Sequence, residues 1–221
     1  MISSVQSNMI DNYYNVYISK LYSSSNWELS NQILYDMCKK YPHHNNAHEI
    51  VAKIWLIGRS YAAAIERRKN AEGYKGDFYY DDVAPALLNI GKTLDSKIDA
   101  VNKIKGVDRN SIYDVLDLHS FLMTEFEKLT GLDKRSLASK YLHFHCPDNM
   151  FIYDSVASTA LRRLVKKDAK RNKAILDVHP EYDTEYTDFC VRFLELRDYI
   201  SKKYGKNLSV RELDTFLLNY K

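Results

Sequence analysis

The sequence predicts an all-α protein. Three observations carry that reading. Apolar residues recur at helical spacing along nearly the whole chain. Only 7 glycines and 4 prolines occur in 221 residues, too few for a turn-rich all-β fold. No segment reads convincingly as a strand. In order, Ile10, Tyr13, Tyr14, Tyr17, Ile18 and Leu21 give a first helix, which Ser23–Asn26 breaks and recaps. The second helix carries Ile33, Leu34, Met37 and Cys38 and stops at Tyr41-Pro42. A long third helix follows Asn45-Asn46, with Ile50, Val51, Ile54, Trp55, Ile57, Tyr61, Ala62 and Ile65 on one side. It is expected to end in Glu66-Arg67-Arg68-Lys69, cations at the negative end of the helix dipole.

Gly73–Asp77 reads as a loop. Asp81 and Asp82 precede a fourth helix through Leu87, Leu88, Ile90, Leu94 and Ile98, with Pro85 in its first turn, where a missing N–H costs little. Residues 102–110 are the longest polar gap and a candidate lobe boundary. A fifth helix carries Ile112, Val115, Leu116, Leu118, Phe121, Leu122 and Phe126. The tight turn Leu129–Asp133 leads into a sixth, a Cys146–Asn149 turn and an extended Phe151-Ile152-Tyr153. Asp154 opens the seventh, with Val156, Leu161, Leu164 and Val165. Phe189, Phe193, Leu194, Leu196 and Ile200 give the eighth, closed by Gly205. Ser209 and Glu212 have capping-box spacing and open the last. About nine helices result, with no internal repeat.

A net charge of +3 makes no electrostatic commitment to nucleic acid by itself. The distribution says more, because seven of the twelve residues 162–173 are basic. Cys38, Cys146 and Cys190 are widely spaced and odd in number, which suits a reducing cytoplasm rather than a disulfide framework. No apolar run reaches membrane-spanning length, and residues 1–15 lack a secretion-signal pattern, so no membrane role is expected. No phosphate-binding glycine loop is present. His143, His145 and Cys146 lack a matching distal pair, so no metal is expected.

The chemistry concentrates in Arg135–Asp154. Asp154 ends an extended run and starts a helix, where backbone N–H groups need acceptors. It is either a cap or a reactive carboxylate held by one. Lys140 lies four residues after Ser136, on the same helix face.

A helix, a glycine-containing turn, a helix and a short extended approach to an acidic helix start resemble the helix–hairpin–helix DNA glycosylase superfamily. Leu129–Asp133 stands where that superfamily has its hairpin, and Phe151–Asp154 where it approaches its catalytic aspartate. The run SLASKYLHFHCPDNMFIYDS, with KIWLIGRSYAAAIERR and VRELDTFLL, is similar to a bacterial branch of 8-oxoguanine-glycosylase-like proteins. The resemblance touches most of the chain and is densest at residues 129–163. Asp133 departs from the pattern by replacing the second hairpin glycine, and one residue is inserted before Ser136. The usual separation back from Asp154 reaches Ser136. Bifunctional members carry a lysine nucleophile at that position, and adenine-specific members a serine.

The resemblance implies a two-lobed helix–hairpin–helix glycosylase-like fold, a single unit over 1–221. It implies excision of a damaged or modified base from DNA, an oxidised purine in the first place, with or without abasic-site lyase activity. Such activity serves repair or defence against a modified phage genome. Asp154, Lys140 and Ser136 are then the catalytic candidates, acting on a base flipped out of the duplex. Gly131, Lys134 and Arg135 in the hairpin, with Arg162, Arg163, Lys166 and Lys167, are the candidates for nucleic-acid contact, the basic run forming one face of the helix that Asp154 begins. DNA is the expected partner, and no cofactor is expected. The rival reading is a catalytically inactive helical module of the same fold that binds nucleic acid or protein.

Overall fold

The computed structural model describes residues 2–18, 27–69 and 71–220. Leu21 and the expected Ser23–Asn26 break lie outside them. Among the described residues there are ten α-helices and no strand. They are α1 Ser4–Ile18, α2 Glu28–Lys40, α3 Ala47–Ser60, α4 Ala84–Asn102, α5 Ile112–Thr130, α6 Arg135–His145, α7 Ser155–Leu164, α8 Ala169–Val178, α9 Thr184–Tyr204 and α10 Val210–Asn219. A π-helical turn, Tyr79–Val83, runs into α4, so Asp81 and Asp82 lie within that turn.

Helix starts follow the sequence closely. Asn46 caps α3 by accepting from His48 N at 2.9 Å and Glu49 N at 3.3 Å. Ser209 and Glu212 form the reciprocal capping box of α10. Gly131 closes α5 in the left-handed region at φ 65, a conformation glycine adopts without steric cost.

Two expectations are corrected. The third helix ends at Ser60 rather than running through Ile65 to Lys69. Ala62 takes φ 51, and Ala63 N donates to the Gly58 carbonyl at 2.8 Å, which is a Schellman closure with alanine where glycine is usual. The basic run is also not one helix. α7 stops at Leu164, Lys166 and Lys167 lie in the connection, and Asp168 caps α8 by accepting from Arg171 N at 3.0 Å. That division adds a tenth helix to the nine expected.

Packing sorts the helices. α2, α3, α4, α5 and α6 lie against one another, with α6 touching α2, α3 and α5. α7 touches α1, α9 and α10, and α8 packs on α9. Contacts between α5 and α9, and the chain from Cys146 to Asp154, join these groups, and a single continuous cluster of buried side chains runs through both. The 103–111 connection links α4 to α5, which pack along each other. Tyrosines join the ends of the chain: Tyr14 stacks on Tyr204 with centroids 3.9 Å apart, and Tyr13 and Tyr17 meet Phe216 edge-on. All three cysteines are buried and unbridged. Among the described residues, no helix is long and apolar enough to cross a membrane.

Candidate active site

α6 brings the candidate residues together because nearly every side chain on it is buried. Its N-terminus is anchored by Arg135, whose guanidinium makes a two-pronged pair with Asp183 at 2.5 and 2.7 Å. Ser139 Oγ accepts from Tyr153 N at 3.0 Å, and Ser136 Oγ donates to the Tyr153 carbonyl at 3.2 Å. These two serines clamp the extended Phe151–Tyr153 strip against α6. The strip therefore delivers Asp154 at a fixed position beside the helix. Ser136 holds the approach to the carboxylate.

Asp154 uses its two oxygens differently. Oδ1 accepts from Val156 N at 2.8 Å and Ala157 N at 3.2 Å, a full N-cap for α7. Oδ2 faces the Lys140 ammonium at 3.7 Å, an ion pair longer than a direct hydrogen bond. The Lys140 side chain is 5% exposed. Its amine donates to the Tyr61 carbonyl at 3.1 Å, which the closure of α3 has left free of an intrahelical partner. Burial pushes the Lys140 amine below its ordinary range, against the opposing pull of Asp154 and Asp214.

Two further buried lysines provide a contrast. Lys53 donates to the Tyr41 and His43 carbonyls at 2.9 and 3.1 Å. Lys134 donates to the Ala64 carbonyl at 3.3 Å and also to that of Arg67. Among the described residues, Lys140 is the one of the three whose amine is paired with a carboxylate.

The sequence did not single out Asp214 and Arg211. Asp214 is 1% exposed, and Oδ2 accepts from Arg211 Nη1 at 2.6 Å, while Oδ1 is buried with no hydrogen-bond partner. Burial raises its carboxyl to about 7; Asp154 pushes in the same direction, and Arg211 and Lys140 oppose. The signal was present, because Val210, Leu213, Asp214, Phe216 and Leu217 are the buried residues of α10 and one of the five is charged. Tyr61 and Tyr35 complete the wall: both rings meet Phe144, and Tyr61 Oη donates to Asn31 Oδ1 at 2.7 Å.

The expected nucleic-acid residues divide. Gly131 shapes the turn between α5 and α6. Lys134 is turned inward onto carbonyls rather than offered to a phosphate, and Arg135 is committed to Asp183. Arg162 is exposed and pairs with Glu185 at 2.5 Å. Arg163, in the last turn of α7, and Lys166 and Lys167, in the connection after it, are exposed. His143 is locked between Tyr35 Oη and the Met150 carbonyl at 2.7 and 2.9 Å, and among the described residues no group of three or more His, Cys, Asp or Glu side chains is placed to hold a metal. A cavity of about 320 Å³ is lined by Cys38, Asp95, Asp99, Phe144 and His145 among others, and includes none of Lys140, Asp154 and Asp214. The candidate site is marked instead by its chemistry, a buried amine of lowered pKa beside a carboxylate. No protein-family model, curated protein or solved structure matches the chain.

Proposed function

We propose that this chain is a DNA glycosylase of helix–hairpin–helix type, with Lys140 as the nucleophile and Asp154 as its carboxylate. The observation that carries this reading is the buried Lys140 amine 3.7 Å from Asp154 Oδ2. The α5–Gly131–α6 hairpin and the two packing groups of helices, with the Asp154 strip crossing between them, support the two-lobed architecture. A damaged or modified base, an oxidised purine in the first place, flips out of the duplex. The neutral amine attacks C1′, and the electron pair of the C1′–N bond leaves with the base. The Asp154 carboxylate offsets the positive charge developing on the sugar. Opening of the sugar ring then gives a Schiff base on Lys140. Exposed Arg163, Lys166 and Lys167 supply cations for the flanking backbone.

The second reading is a non-catalytic helical binding module. It draws on Asp154 Oδ1, whose capping of α7 is structural work in its own right. Borohydride reduction on duplexes carrying a panel of modified bases decides between them. A covalent adduct on Lys140 is expected. Duplex binding with neither an adduct nor base release would overturn the enzyme reading.

A further inference from the structure

The cavity of about 320 Å³ takes no part in the reaction as described, yet its walls share one electrostatic sign. α2 and α4 both pack on α3, and α6 packs on α2 and α3. The last turns of α2, α4 and α6 all border the space, through Lys39, Asn102 and His145 among others. Each helix carries about half a negative charge at its C-terminus. Asp95 and Asp99, four residues apart on α4, add two carboxylates. His44 holds Asp95, Nδ1 donating to Oδ1 at 2.6 Å and the backbone N to Oδ2 at 3.1 Å. A carboxylate has about four acceptor positions, so Asp95 keeps capacity toward the cavity. Asp99 is exposed and is in no ion pair among the described residues. Lys39 is the one lysine or arginine on the lining. His145 adds no charge, because burial pushes its imidazole well below the ordinary range, and its Nε2 is buried with no hydrogen-bond partner. Apolar surface completes the walls: Ile98 lines the space, as do the rings of Tyr35 and Phe144, whose centroids lie 4.8 Å apart.

We propose that this cavity binds a small organic cation, an amine or guanidinium on an apolar body. Asp95 and Asp99 are its counter-charges, and Tyr35, Ile98 and Phe144 receive the body. An aromatic face attracts a cation held within about 6 Å of its centre, so the two rings serve the charge as well as the body. An anion would meet two carboxylates and three negative helix ends. A metal ion lacks its ligands, because among the described residues no group of three or more His, Cys, Asp or Glu side chains is placed to hold one. The volume lies at the lower end of the range for ligand pockets, about 300–1,000 Å³, which limits the occupant to a small molecule. The inference stands apart from the glycosylase reading, since the lining includes none of Lys140, Asp154 and Asp214.

The test titrates ¹⁵N-labelled full-length protein with probes of one shape and different charge: phenethylamine, the neutral 2-phenylethanol and the anionic phenylacetate. Phenethylamine should give saturable amide shifts in the three wall segments, residues 35–39, 95–102 and 144–146. The alcohol should bind at least about fivefold more weakly, and phenylacetate should leave these signals in place. Asp99→Asn should weaken the amine about two- to fivefold, the worth of one solvent-screened charge pair, and Asp99→Lys should weaken it further. Asp99 is exposed, so both variants should keep the wild-type melting temperature and the comparison stays clean. Equal affinity for amine and alcohol would reveal an apolar pocket indifferent to charge and overturn the inference. Shifts that map outside the three segments, or an affinity unchanged in Asp99→Lys, overturn it too. So does a Kd weaker than about 1 mM for both phenethylamine and its guanidinium analogue.

Discussion

Replacing Asp214 with Asn should change how stability depends on pH. An aspartate in the unfolded chain titrates at 3.8, and Asp214 in the fold at about 7. Between those values the folded state holds a proton that the unfolded chain releases. The contribution of this group is therefore fully present below pH 3.8, declines as pH rises and is gone above about 7. Roughly three pH units at 1.36 kcal/mol each give about 4 kcal/mol. The group is 1% exposed, so solvent screening does not erode the figure. Asparagine has nearly the shape of the neutral acid and does not titrate. The stability of wild type relative to Asp214→Asn should thus fall by up to about 4 kcal/mol between pH 4 and pH 8. Urea unfolding followed by circular dichroism at several pH values measures this, provided the m-value stays constant. A difference between the two proteins that stays flat within about 1 kcal/mol across that range would refute the argument. It would mean that the carboxyl titrates in the fold as it does in the unfolded chain.

Asp154→Asn keeps an N-cap, so stability should change by at most about 1 kcal/mol, while base release falls by orders of magnitude; near-normal turnover would remove Asp154 from the chemistry. Lys140→Gln should abolish borohydride trapping, whereas Ser136→Ala, which loses one hydrogen bond to the Tyr153 carbonyl, should keep it at a cost of about 1 kcal/mol. Trapping that survives Lys140→Gln would point to another amine. Changing Lys166 and Lys167 together to Gln should weaken binding to damaged and undamaged duplex alike, and flatten the log affinity against log salt slope by about 0.9 per lost contact; an unchanged slope would take these residues off the DNA surface. Ala62→Gly should stabilise the fold by about 1 kcal/mol, since Ala62 sits at φ 51, and a lower melting temperature would show that the turn is not strained.

The helical order, the capping box of α10, the Gly131 turn and the capping role of Asp154 were legible because each is a local signal. The end of α3 was not. Tyr61-Ala62-Ala63-Ala64 contains no breaker, and alanine is the best helix former, so propensity argues for continuation. What meets the freed carbonyls comes from α6 and the residue before it: Lys140 takes the Tyr61 carbonyl, and Lys134 takes those of Ala64 and Arg67. Those partners lie 67 to 79 residues away, beyond any sequence window. The break in the basic run had a visible marker in Asp168, which the 3–4 spacing of the cations concealed. Asp214 was visible as a charge on an apolar stripe. Its surroundings were not, because nothing local says that α10 returns to α7.

The three buried lysines show why one amine differs from the others. An ammonium has three protons to donate. Lys53 and Lys134 each spend two on carbonyls of a segment they tether, which fixes the cation and the chain together. Lys140 spends one, on Tyr61, and its next neighbour is a carboxylate just out of hydrogen-bond range. A lysine kept only to hold the fold gains from a second carbonyl or a closer carboxylate, and a sub-ångström shift of the Asp154 strip would bring that carboxylate into hydrogen-bond range. The serine clamp on Tyr153 holds that strip where it is. The carboxylate stays close enough to favour the charge and too far to fix the amine. An amine held by a single carbonyl is what the proposed attack on a sugar carbon requires.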